Sequence, residues 1–194
     1  ASLFTFRLSC KGCANCHCSP QKVAKREALF NIALMLCQRR LEPLGISISV
    51  LVTRKTGVLL YVYRPALLEL VLADQRTGAL LETYGYDISS SDACIAHLRK
   101  RVEETELERA DGGCSFPHEI GALLGYPYDD VVGFIENRGA NYLCAGCWKA
   151  YSNERDAQAC FCRYKNCTAS FERYYEAGLS LESLAYVGMH AQAA

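Results

Sequence analysis

The sequence predicts an α+β fold, mostly helical, with a small β-sheet built around one hairpin. Three features of the chain point there. Long segments repeat apolar residues at helical spacing, and two adjacent short runs are rich in β-branched and aromatic residues. Proline, glycine and capping residues mark the joins between them. A length of 194 residues suits one domain with a sizeable core. Residues 1–194 are therefore read as a single domain opened by a Cys-rich segment, 1–19. With 51% hydrophobic and 22% charged residues, disordered and collagen-like chains are excluded.

Pro20 suits the first turn of a helix running to about Leu41, where Pro43 and Gly45 end it. Val23, Leu29, Ile32, Ala33, Leu36 and Cys37 fit one apolar stripe along it. Residues 46–53 and 58–63 read as the hairpin, joined by Arg54-Lys55-Thr56-Gly57. Residues 65–73 and 75–84 are short helical patterns. Ser90 or Ser91 caps a longer helix to about residue 108, with Cys94, Ile95, Leu98 and Val102 on its apolar side. Asp111-Gly112-Gly113 breaks the chain, and Phe116-Pro117-His118-Glu119-Ile120-Gly121 opens a short helix. After Gly125-Tyr126-Pro127, Asp129 or Asp130 begins another helix through Glu136, which Gly139 ends. Residues 141–151 look extended. Asn153 caps a long helix through Glu176, and 180–186 is a last short one.

No apolar stretch approaches the roughly 18 residues a membrane span needs, so no transmembrane helix is expected. Net charge is zero but unevenly spread. Residues 1–64 hold ten basic and two acidic residues, net +8; residues 65–136 hold five and fourteen, net −9; the remainder is net +1. Either the two halves neutralise one another in the fold, or the basic N-terminal region docks an acidic protein partner. The chain has no RNA-binding aromatic motif and no helix-turn-helix signature, which argues against nucleic acid.

Twelve cysteines are the unusual count. Cys16 with Cys18, and Cys160 with Cys162, are too tightly spaced for a disulfide within the pair. A chain of this length does not need a disulfide framework, so the thiols are read as reduced and the compartment as cytoplasmic. Cys10, Cys13, Cys16 and Cys18 are the strongest local signal. Four thiols within nine residues, with Gly12 allowing a tight turn, suit a soft metal ion or an iron–sulfur cluster. The first three match ferredoxin-type spacing, but the fourth position is Pro20. Zinc usually takes its two Cys pairs from separate loops, and these overlap. The competing readings are a reactive thiol pair and a Cys-rich terminus without a ligand.

Cys144-Ala145-Gly146-Cys147 resembles a zinc-knuckle or redox C-x-x-C pair. It runs into extended sequence, which argues against a thioredoxin site. Cys160 and Cys167 share one helix face with aromatic residues while Cys162 points away, so a zinc site from Cys144, Cys147, Cys160 and Cys162 is disfavoured. Cys37 and Cys94 read as core.

His118 and Glu119 are the candidate catalytic pair. A histidine in the first turn of a helix meets the positive helix end, which favours neutral imidazole as a base or ligand. Packing and capping are the alternative roles. His118 is expected to face a concavity. Phosphate-binding glycine loops, Gly-x-Ser-x-Gly and His-Glu-x-x-His are absent from the sequence.

Several of these motifs together resemble a known family. They are Tyr61-Val62-Tyr63-Arg64-Pro65, Phe116 to Gly121, Leu124-Gly125-Tyr126-Pro127, and Asp130-Val131-Val132-Gly133-Phe134-Ile135-Glu136-Asn137. Gly139, Asn141-Tyr142, Gly146, Trp148-Lys149 and Tyr151 complete the set. The chain resembles, over about residues 42–180, an uncharacterised domain-of-unknown-function family of small proteins from anaerobic Firmicutes. The resemblance implies an anaerobic, cytosolic setting and no particular activity. Relatives open with a His-Cys-small-Pro motif, which either His17-Cys18-Ser19-Pro20 matches or Ala1-Ser2-Leu3-Phe4 follows. Residues 1–6 read as the interior of an apolar element, so the native chain is expected to extend upstream of Ala1.

Three functions stand as expectations. The first is a small metal- or iron–sulfur-associated protein in electron transfer or metal handling, with zinc or a cluster as cofactor. The second is a thiol enzyme with a cysteine activated near His118, and the third an adaptor for an acidic partner.

Overall fold

A computed structural model describes residues 1–7, 20–54, 57–110 and 116–190. Cys10, Cys13, Cys16, Cys18 and Cys114 lie outside the described residues. The chain forms two compact units, Ala1–Ile120 and Gly121–Ala194. The fold is α+β and mostly helical, with a three-stranded antiparallel sheet and a separate two-stranded one.

In the first unit the hairpin forms from β2 (Ser47–Arg54) and β3 (Gly57–Tyr63). Their register shifts once, between Val50 and Val52. β1 (Ser2–Arg7) pairs antiparallel with the other edge of β3, from Ser2 opposite Val62 to Arg7 opposite Gly57. The hairpin's second strand is therefore central. Gly57 permits the approach, since a Cβ there would lie 2.2 Å from the Phe6 carbonyl oxygen.

β3 is paired along both edges and little exposed along its length, and its side chains alternate between the two faces of the sheet. Val58 and Leu60, with Val50, meet Phe30 and Leu34 of α1 (Pro20–Leu41). The Phe6 and Phe30 rings lie 4.7 Å apart. Tyr61 faces the other way, beside Cys94 of α4 (Ser91–Ala110). Cys94, Ile95, Leu98 and Val102 are all buried, as their spacing predicts. Cys94 is fully buried in the core, and that burial, with Asp87 and Glu69 nearby, pushes its thiol up to about 12.

Side chains from both helices cover the outer edge of β2. Gln38 Nε2 donates to the Ile48 carbonyl at 2.9 Å, and Arg99 Nε donates to that of Val50 at 2.9 Å. Ser90 Oγ caps α4 by accepting from Ala93 N at 3.2 Å. Glu69, from α2 (Pro65–Ala73), accepts from both the backbone N–H and the hydroxyl of Ser91. Asp74 caps α3 (Gln75–Thr83) through Thr77 N at 2.8 Å.

The sequence places a helix opening at Phe116. Instead α5 spans Ile120–Leu123, and His118 and Glu119 form the turn before it, closed by Ile120 N donating to the Pro117 carbonyl at 3.2 Å. In the second unit, α6 (Tyr128–Glu136) ends at Gly139, whose φ of +75° and bond to the Phe134 carbonyl make a left-handed stop. The extended stretch resolves into a tight hairpin, β4 (Cys144–Ala145) and β5 (Lys149–Ala150). Asn153 caps α7 (Glu154–Glu176) by accepting from Asp156 N, and α8 (Leu181–His190) follows.

Candidate functional site

His118 and Glu119 are adjacent in sequence but point into different environments. His118 is exposed, whereas Glu119 is 2% exposed. Glu119 Oε1 accepts from Arg101 Nε at 3.2 Å and from the Tyr86 hydroxyl at 3.3 Å. A buried carboxylate costs several kcal/mol to desolvate unless it is paired, and here it is paired and hydrogen-bonded. Glu119 therefore ties the His118 turn to α4, which is a structural task.

Cys144 and Cys147 flank the turn of the β4–β5 hairpin. Gly146 allows that turn to press on α7, because a Cβ there would sit 2.3 Å from the Phe161 ring. Trp148 packs between Tyr126 (ring centroids 5.0 Å) and Phe161 (4.6 Å, edge-on). The Cys144 thiol points at the Glu154 carbonyl, 4.0 Å away. Burial, then the Glu154 and Asp130 carboxylates, hold this thiol above its ordinary range. That shift opposes thiolate nucleophile chemistry at neutral pH. Cys147 is exposed. Two thiols supply half of a structural zinc site. Among the described residues, no three His, Cys, Asp or Glu side chains converge as metal ligands would.

The residue that organises this hairpin is Asp130, 3% exposed. Its Oδ2 accepts from Trp148 Nε1 at 2.7 Å. Its Oδ1 accepts from Tyr151 N (2.8 Å), Ser152 N (2.9 Å) and Ser152 Oγ (2.9 Å). Burial alone would raise its pKa, but these bonds favour the charged form and hold it below the usual carboxylate range. Asp130 reads in the sequence as a helix-starting residue; the four donors, on three residues beyond position 147, give no local signal of it.

The outer face of α1 is the other feature of note. The sequence groups Leu29, Ile32, Leu36 and Cys37 into one stripe, yet the helix has two apolar faces. Phe30 and Leu34 meet the sheet, while Leu29, Ile32 and Leu36 are 57%, 53% and 49% exposed. Lys22, Lys25 and Arg39 are exposed too. Positions 22, 25, 29, 32, 36 and 39 alternate in steps of three and four, so they lie along one line of the helix. An open cavity of about 420 Å³ lies beside the C-terminal end of α1, lined by Met35, Arg39, Ser47 and Tyr63 among others.

The family described as "Protein of unknown function (DUF3793)" matches residues 4–185. The chain belongs to that family. No curated protein and no solved structure matches it. The DUF3793 match spans both units. It therefore takes in the α1 face, the Glu119 turn and the Asp130-anchored hairpin alike. Among the described residues, no helix of this DUF3793 protein is long and apolar enough to cross a membrane.

Proposed function

We propose that this DUF3793 chain is a non-catalytic docking protein whose α1 outer face receives an acidic partner. The observation that supports it is the line of half-exposed Leu29, Ile32 and Leu36 between Lys22 and Lys25 at one end and Arg39 at the other. Exposed apolar side chains in a contiguous line mark contact surfaces more than scattered ones do. Full burial of a leucine or isoleucine is worth about 1.5–3 kcal/mol, so covering three half-exposed ones adds roughly 3 kcal/mol. Against the cost of association this suits a reversible complex, with the basic ends adding rate and specificity. The α1 segment lies in the region of net +8 charge, which also favours an acidic partner. The cytoplasm is the proposed compartment, supported by cysteine spacings too tight for disulfides within each pair.

The test starts from proteins retained by the immobilised chain in extract prepared without air. Each retained protein is identified, purified and titrated against the wild type and the Leu29→Asp/Leu36→Asp variant. An acidic partner whose binding weakens with salt and is lost in the variant supports the proposal. Binding indifferent to the variant removes it.

Metal binding is the second reading, favoured by the hairpin turn that sets Cys144 and Cys147 on either side of Ala145-Gly146. Cys10, Cys13, Cys16 and Cys18 would be its main donors. Elemental analysis and a visible spectrum of protein purified without oxygen decide it. Bound zinc, or absorption near about 400 nm from thiolate-bound iron, supports this reading.

A further inference from the structure

Resting on the docking proposal above, we infer that the partner presents an amphipathic α-helix, apolar at its centre and acidic at both ends, which pairs lengthwise with the α1 seam. The spacing is the first ground. Lys22, Lys25, Leu29, Ile32, Leu36 and Arg39 follow the alternation of three and four residues that keeps side chains facing a neighbouring helix. An extended peptide repeats every second residue and would not match this line.

Charge is the second ground. The only acidic residue of α1 is Glu27, which lies on the side of the helix away from the seam. The apolar centre and basic ends therefore call for glutamate or aspartate at both ends of the partner. Charge also excludes α1 of a second copy as the occupant. Antiparallel pairing of two α1 helices would set Lys22 and Lys25 against Arg39, and parallel pairing would set each lysine against its own copy. Like charges across such a seam oppose association.

The placement of the basic residues disfavours a lipid surface as well. A helix lying in a membrane interface buries a broad apolar face and keeps its basic residues on the polar side. Here the basic residues lie on the same line as the apolar ones, at its two ends, in the positions where a facing helix would meet them.

The experiment uses the full chain and three synthetic three-heptad peptides. One has leucine at the central seam positions and glutamate at the end ones. A second has lysine in place of glutamate. A third has the composition of the first in scrambled order. Binding is read by fluorescence anisotropy. The glutamate peptide is expected to bind at least about tenfold more tightly than the other two. Its affinity should fall as salt rises from about 50 to about 500 mM. Leu29→Asp/Leu36→Asp should abolish binding. In a second variant, Lys22→Glu/Lys25→Glu/Arg39→Glu, which changes exposed side chains only, preference should switch to the lysine peptide.

Equal binding of the scrambled peptide would overturn the helical partner while leaving an acidic partner standing. Failure of all acidic peptides, or a charge-reversed variant that still prefers glutamate, would overturn both. Tighter binding to vesicles of anionic phospholipid than to the glutamate peptide would overturn the inference in favour of a membrane surface. Self-association abolished by Leu29→Asp/Leu36→Asp would do so in favour of a second copy.

Discussion

Replacing Asp130 with asparagine alters one atom's worth of chemistry at the anchor of the second unit. The amide retains one acceptor oxygen. If that oxygen takes the place of Oδ1, it keeps the bonds from Tyr151 N, Ser152 N and Ser152 Oγ. The amide nitrogen then meets Trp148 Nε1 at the position now 2.7 Å away, donor against donor. Bonds to a charged acceptor contribute about 1.5–3 kcal/mol each and neutral ones about 0.5–1.5. Weakening three and losing the fourth would sum to more, but neighbouring bonds are not additive and the half-buried indole can turn toward water. The expected loss is about 3 kcal/mol. Trp148 is the single tryptophan of the chain, so its fluorescence reports this unit alone during urea unfolding. A loss below about 1 kcal/mol would refute the anchoring role of Asp130. The pH dependence gives a second check. The folded-state pKa lies below the unfolded one, so Asp130's stabilisation is fully present above the ordinary value of about 3.9 and is lost as pH falls through the lower folded value. Asp130→Asn should flatten the acid limb of the Trp148 transition over that range.

Glu119→Gln should destabilise the first unit by about 2 kcal/mol, below the 3–5 of a fully buried pair because Arg101 is partly solvated. A loss below about 0.5 kcal/mol, read by circular dichroism during urea unfolding, would contradict this tying role. Gly133→Ala and Gly146→Ala place a Cβ 2.6 Å from Tyr151 and 2.3 Å from Phe161. Each should cost about 1–3 kcal/mol, and a variant with wild-type Trp148 emission and stability would contradict the packing. Leu29→Asp/Leu36→Asp should leave thermal stability within about 0.5–1 kcal/mol of wild type, because both side chains are half-exposed. A large loss would mean that the outer face of α1 is core.

Helices with local punctuation were legible in the sequence. Pro20 opens α1, Ser90 caps α4, Asn153 caps α7 and Gly139 stops α6, and each signal lies within a few residues of the boundary it sets. The β2–β3 hairpin was legible for the same reason. Strand β1 was not, because its partner lies more than fifty residues downstream and no turn links the two. Glu119 and Asp130 illustrate a related blindness. Their partners, Arg101 and Tyr86 for one and Trp148, Tyr151 and Ser152 for the other, are brought to them only by the fold. Helical periodicity, in turn, grouped Leu29, Ile32 and Leu36 into a stripe but did not pick out Phe30 and Leu34, the face the sheet takes. With apolar residues on two sides, only the position of Phe6, Val58 and Leu60 selects Phe30 and Leu34. Cys144 and Cys147 were legible as a pair, and the structure sets them on one hairpin turn.

The central claim is that the outer face of α1 is where an acidic partner docks. Hydrogen–deuterium exchange of the full chain, with and without the glutamate-ended peptide at saturation, locates the contact directly. Slowed exchange confined to fragments covering residues 22–40 is the predicted result. Slowed exchange at the Cys144–Cys147 turn or around His118, with α1 unchanged, would contradict it.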